Sequence, residues 1–507
     1  MPHPSIFALL EAGPTDAPAI RAPDGAKSLT FGALVALARS TVETLNSVGF
    51  GRGDRVAIVL HNGPEMATSF LCVAAGAATA PLNPGYRAED LEFYLGDLKA
   101  KALVLEAGVD SPARAAAKKM SIPVLELTAD RTRGAGWFTL SGDAKGTPAR
   151  GGMGEEDDPA LFLHTSGTTS RPKLVPLLQR NLLASAENIG RTLALTPDDV
   201  CLNIMPLFHI HGLIAATLSS LAAGASVSCT PGFNALKFFH WLDEGRPTWY
   251  TAVPTMHQAI LARAGRHRDV IAQSRLRLIR SSSASLPAPV MVEMEKAFGV
   301  PVIESYGMTE ASHQMASNPL PPLARKPGAV GLAAGPEVAI LDEDWKVLPQ
   351  GEVGEVAIRG PNLTPGYEAN PEANAKSFRD GWFRTGDQGV LDEEGYLRLT
   401  GRLKEQINRG GEKFSPLEVD EVLASHPSVA QALTFAMPHD KLGEEVAAAV
   451  VLREGATATE RELHDFCAKK LPHFKVPRKV VLVKEIPKGA TGKLQRIGLA
   501  QKLGLGS

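Results

Sequence analysis

The chain has 507 residues, with 53 Lys plus Arg against 55 Asp plus Glu and a formal net charge of −2. A balance this close to zero offers no field to nucleic acid or an anionic membrane, and 44% hydrophobic with 21% charged residues excludes a disordered chain. The four cysteines, Cys72, Cys201, Cys229 and Cys467, form no Cys-x-x-Cys pair, which excludes a zinc ribbon or disulfide scaffold and suits a reducing compartment.

The start, Met1-Pro2-His3-Pro4-Ser5, has neither a basic n-region nor a long apolar core, and Leu505-Gly506-Ser507 is not a peroxisomal address. The expectation is a cytoplasmic protein. Residues 55–60 (RVAIVL) read as a buried strand and 64–76 as the helix after it, with further strands at 101–105 and 123–127. The apolar stretches 70–82 and 212–227 are rich in Ala, Gly and Ser. They fall short of the ~20 strongly apolar residues a bilayer demands and are predicted to be close-packed core helices. A strand at 160–163 leads into a polar loop, with a helix expected from near Pro176, and 277–280 reads as another strand. From about Gly328, glycine-punctuated strands at 337–341, 354–359 and 396–399 predict a β-rich subdomain. After Gly401 come a helix at 416–425, a strand at 445–452, a helix at 460–471 and a strand at 479–483. The predicted fold is α/β: a large N-terminal domain of layered mixed α/β sheets over 1–401, and a small mobile α+β C-terminal domain over 402–507. The boundary is too short for a tether and suits a hinge.

The strongest local signal is Thr165-Ser166-Gly167-Thr168-Thr169-Ser170-Arg171-Pro172-Lys173. Small and hydroxylated residues in a row cannot fill a core, but their N–H and O–H groups can converge on one anion beside the charge of Lys173. That is the chemistry of a polyphosphate cradle, although the Walker spacing is absent. A plain Ser/Thr-rich surface loop is the competing explanation.

That loop resembles the phosphate-binding signature of adenylate-forming enzymes, the acyl-CoA synthetase and luciferase superfamily, with Ser170 in place of the usual Gly. The resemblance continues in order through Glu304-Ser305-Tyr306-Gly307-Met308-Thr309-Glu310, Gly354–Arg359 followed by Gly360, Trp382-Phe383-Arg384-Thr385-Gly386-Asp387, Gly401-Arg402-Leu403-Lys404-Glu405, Gly410-Gly411-Glu412 and Pro487-Lys488-Gly489-Ala490-Thr491-Gly492-Lys493. It implies an ATP-dependent ligase in which Thr165, Ser166, Gly167, Thr168, Thr169 and Lys173 hold the phosphates, with Thr309 at the α-phosphate. Asp387 and Arg402 would take the ribose, Tyr306 would stack on adenine, and Glu310 would hold Mg²⁺. It also implies that His209 lies beside the acyl carbonyl, with Ser281 and Ser283 lining the pocket. Lys493 would stabilise the adenylation transition state, Lys404 would be the hinge, and Gly410 and Gly411 would let the pantetheine arm of CoA pass. Two histidines at i, i+2, His209 and His211, lack the companions of a metal site.

Within the superfamily the chain resembles the oxalate–CoA ligase branch, through TSGTTSRPK (165–173), MTEASHQM (308–315), INRGGEKFSP (407–416) and TGKLQR (491–496). Ser305, His313, Ser281 and Ser283 suit a second carboxylate better than an aliphatic chain. The expected partners are small molecules: ATP, CoA and a carboxylic acid. A ligase for another short, medium-chain or aromatic acid stays open, as does a non-catalytic nucleotide sensor on the same fold.

Overall fold

The structure is a computed structural model, described here over residues 3–165, 172–488 and 493–506. Two large sheets carry the N-terminal part. In the first, the strands Arg55–Val59, Ala78–Pro81, Ala102–Glu106, Val124–Ala129 and Pro159–Thr165 run parallel, and antiparallel strands Phe138–Ser141 and Lys173–Leu178 close the two edges. In the second, Val200–Asn203, Ser226–Cys229, Trp249–Ala252, Leu278–Ser281 and Val302–Met308 form a parallel centre, and His313–Ser317 turns back antiparallel on the last of them. One apolar cluster spans both sheets. Buried Phe31, Phe70 and Leu71 belong to it, as do Leu161 and Val227 and, from the helix Gln179–Thr192, Leu182 and Leu183. Parallel strands covered on both faces need such continuous apolar runs.

A third, antiparallel sheet is built from Glu337–Leu341, Gly354–Arg359, Phe378–Arg379, Trp382–Leu391 and Leu397–Arg402. Beyond it the strands Ile407–Arg409, Glu412–Phe414, Val429–His439, Gly443–Leu452 and Lys479–Leu482 make a separate sheet. The helices Pro416–Ala424 and Glu460–Ala468 supply Val419, Leu423 and Leu463 to its own core. The layered α/β body, the β-rich part and the terminal α+β module all agree with the sequence expectation.

Two local expectations differ. Residues 173–178, expected to enter a helix near Pro176, are a strand, and the helix begins at Gln179. Pro176 is tolerated because this strand is at the sheet edge, where one side needs no ladder donor. The two Ala-rich stretches are each a helix followed by a strand: Pro64–Ala74 then Ala78–Pro81, and the π-helical turn His211–Leu218 with Ser219–Ala222, then Ser226–Cys229. Asp387 lies within the long strand Trp382–Leu391. Among the described residues, no helix is long and apolar enough to cross a membrane.

Candidate active site

The nucleotide-site residues that the motifs single out gather where the two large sheets, the antiparallel sheet and the terminal module meet. The polar loop leaves one strand at Thr165 and rejoins the next at Lys173, two residues that face each other across the pair. Ser166, Gly167, Thr168 and Thr169 lie outside the described residues, as do Gly489 and Gly492. Lys173 Nζ sits 4.0 Å from the centre of the Tyr367 ring, and the Tyr367 hydroxyl donates to Glu310 Oε1 at 2.8 Å. Burial raises the Glu310 carboxyl above its ordinary range, against the pull of that hydroxyl and of Lys173, and burial lowers Lys173. Glu310 is the middle residue of a short 3₁₀ turn, Thr309–Ala311, at the end of the strand Val302–Met308. It is buried rather than solvated, with Thr309 half-buried beside it.

Asp387 and Arg402 are directly opposed on neighbouring strands, with Nε 3.2 Å from Oδ1. Gly386, at φ +76°, carries the chain through a conformation that an L side chain resists. Its N–H donates to Glu355, while the Thr385 hydroxyl accepts from the Asp387 N–H. The other Asp387 oxygen accepts from the Tyr306 hydroxyl at 2.5 Å. Tyr306 therefore reaches the carboxylate through its polar end, a contact that the sequence did not signal. Burial raises the Asp387 carboxyl, and Arg402 opposes the rise.

Lys493 enters from the terminal module. It is half-buried, and burial with the nearby Arg402 lowers its pKa from 10.5 to about 8, while Asp387 and Glu310 pull the other way. Its charge is felt at His209, which burial, then Lys493, holds down at about 3 and therefore neutral. Lys404 is exposed in the short turn Leu403–Glu405 between the two sheets, and Gly410 and Gly411 form the exposed tip between Ile407–Arg409 and Glu412–Phe414.

The acyl-pocket candidates form a second group. His211 Nε2 lies 2.6 Å from Thr251 Oγ1 and Nδ1 3.0 Å from Ser283 Oγ, and its ring is 5.0 Å from that of His313. Ser283 (φ +73°), Ser312 (φ +49°) and His313 (φ +109°) all hold left-handed backbone, the local strain that accumulates where a site must be shaped. A Cβ on Gly307 would meet the His313 carbonyl oxygen at 1.7 Å, so that crossing requires glycine. Ser281 Oγ is buried without a partner. The Ser305 hydroxyl is paired with Ser317 at 2.9 Å inside the sheet, so it is already engaged. Sequence reasoning passed over Tyr367 and Arg280, and weighed His211 only for a metal site, not for this group. The signal for Arg280 was a charge inside the apolar strand Leu278–Ser281.

Residues 9–368 match the family described as AMP-binding enzyme, and residues 418–493 match the AMP-binding enzyme C-terminal domain. The chain belongs to the AMP-binding enzyme family. It is 47% identical to an oxalate–CoA ligase of Arabidopsis thaliana over 91% of each chain. It is 43% identical to an oxalate–CoA ligase of Saccharomyces cerevisiae, over 89% of this chain and 87% of the relative. Among solved structures, ATP-bound MatB from Rhodopseudomonas palustris superposes with a TM-score of 0.87, 32% identity and 99% coverage of both chains. The apo form of MatB gives 0.77 at 31% identity, again over 99% of both chains. The enzyme class that the ordered motifs implied, an AMP-forming acid–CoA ligase using ATP and CoA, stands.

Proposed function

We propose that this enzyme activates oxalate: its carboxylate attacks the α-phosphorus of ATP, pyrophosphate leaves, and the oxalyl-adenylate is then taken by the CoA thiol to give oxalyl-CoA and AMP. The observation that carries the reading is the polar acyl pocket of His211, Ser283 and His313, set beside a nucleotide site of Lys173, Asp387, Arg402 and Lys493. The long identity to two oxalate–CoA ligases supports it.

Asp387 and Arg402 would bind the ribose diol, with Tyr306 holding the carboxylate in place. Lys493 and the neutral His209 would flank the reacting carboxyl. For Mg²⁺ the donor chemistry fits: Glu310 is a buried hard oxygen ligand, and this ion needs few protein carboxylates when phosphates complete its shell. Glu310 would hold the ion, which supplies charge neutralisation on the phosphates.

We take residues 1–401 and 402–507 as two bodies joined at Lys404, with Arg402, which ends the last strand of the antiparallel sheet opposite Asp387, held on the side of the first body. Among the described residues, polar side-chain pairs cross between them: Gln258 with Ala430 and Gln431, Arg453 with Glu293 at 3.2 Å, and Arg398 with Glu421 at 3.7 Å. Half-exposed pairs of this kind contribute ~0–1 kcal/mol each, which leaves the module free to release and present Gly411 instead of Lys493. The closer superposition on ATP-bound than on apo MatB supports reading this arrangement as the adenylating one. The test is pyrophosphate release, with and without CoA, across oxalate, malonate, acetate, octanoate and coumarate. Oxalate should lead in kcat/KM; a tenfold or greater advantage for octanoate or coumarate would refute the oxalate assignment.

A further inference from the structure

Arg280 is the one large charged side chain among the bulkiest fully buried residues of the described chain, with no measurable exposure. Its hydrogen bonds are long: 3.4 Å to Thr251 Oγ1, 3.3 Å to Gln314 Oε1 and 3.5 Å to His313 Nδ1. Its Nε has no partner, and no carboxylate pairs with it among the described residues. A buried cation in this state is costly, because desolvation is not repaid by an opposite charge. Burial accordingly lowers its pKa to about 9. Its neighbours cannot supply the missing anion. His313 and His211 are both driven neutral by burial and by Arg280 itself, and Thr251, Ser283 and Gln314 carry no charge.

We propose that Arg280 is the specificity-determining residue of the acyl pocket, its guanidinium the fixed counter-charge for the second carboxylate of a short dicarboxylic substrate. The inference rests on the oxalate reading of the same pocket and extends it to a residue and a charge rule. One carboxyl reacts beside Lys493 and His209; the other supplies the anion that Arg280 lacks. A monocarboxylate would leave the guanidinium unpaired, and an aliphatic chain would be pressed against it. Neutral His211 and His313 add hydrogen-bonding groups without adding charge, so the pocket carries one positive unit for one carboxylate.

The experiment compares oxalate with oxamate, its isosteric monoamide, in ATP–pyrophosphate exchange by wild type, Arg280→Met and Arg280→Lys. Wild type should prefer oxalate, and Arg280→Met should lose about 10²-fold in kcat/KM for oxalate, the scale of stripping one partner from a buried charge pair. The loss should fall on KM and spare oxamate. Arg280→Lys, which keeps the charge, should retain most of the preference, and it decides the matter alone if Arg280→Met does not fold. Equal losses for both acids in Arg280→Met, or loss of the preference in Arg280→Lys, would overturn the assignment. If wild type favours monocarboxylates, the assignment falls while the ligase class survives. If wild type ignores oxalate but takes another dicarboxylate, the oxalate reading fails. Arg280 is then judged by that acid against its monoamide, where a preference lost in Arg280→Met sustains it and one retained overturns it.

Discussion

Replacing Lys493 with alanine should cripple the first half-reaction and largely spare the second. The magnitude comes from the cost at which the structure keeps this lysine charged. Burial and the nearby Arg402 bring its pKa from 10.5 down to about 8. An anion that restored its ordinary proton affinity would recover about 3 kcal/mol, or ~10²-fold in rate if realised only in the transition state. Negative charge developing between the attacking carboxylate and the α-phosphate is such an anion. Lys493→Ala should therefore slow ATP–pyrophosphate exchange by about 10²–10³-fold, the range seen when a preorganised donor is removed. Thioester formation from supplied acyl-adenylate should change little, because in the proposed two-position scheme the terminal module has by then turned about Lys404. The lowered pKa adds a signature. Lys493 acts protonated, so wild-type kcat/KM for adenylation should fall as pH rises through about 8, and this falling limb should vanish in Lys493→Ala. Equal damage to both half-reactions would mean that the two bodies keep one arrangement throughout, and the two-position scheme would have to be given up.

Asp387→Ala should weaken ATP binding by about 1.5–3 kcal/mol for each charge-assisted hydrogen bond lost, read by calorimetry, whereas unchanged affinity in a folded variant would return Asp387 to a structural part. Gly411→Leu should slow thioester formation and leave pyrophosphate release intact. Nothing lies within 4 Å of the position, but φ is +100°, so backbone strain of about 1–3 kcal/mol should also appear as a lower melting temperature. Tyr367→Phe removes the hydroxyl that holds Glu310 Oε1, and a Mg²⁺ titration of activity should shift to higher concentration while the ATP affinity measured without metal stays the same.

The parts of this protein legible in its sequence are those where chemistry restricts residue type. A ribose diol needs a carboxylate, a polyphosphate needs small residues and a cation, and these demands leave Asp387, Glu310, Lys173 and Lys493 standing in ordered motifs. Convergence in space was not legible. Asp387 and Arg402 are fifteen positions apart, yet directly paired across a hairpin, and Tyr306 reaches Asp387 from a different sheet. Short apolar runs also failed to separate helix from strand. Residues 70–82 and 212–227 pass from one to the other inside stretches buried almost throughout, where small and apolar residues fall on every face and periodicity carries no signal. Arg280 shows the same limit on the functional side. In the sequence it is one basic residue in a strand of otherwise ordinary character, and only its complete burial without a carboxylate partner among the described residues exposes the imbalance. A motif identifies the groups that handle what all substrates of a family share, here a nucleotide and a reacting carboxyl. What distinguishes one acid from another falls to residues outside the motifs, and these become visible when the charges of a folded pocket are counted and fail to sum to zero.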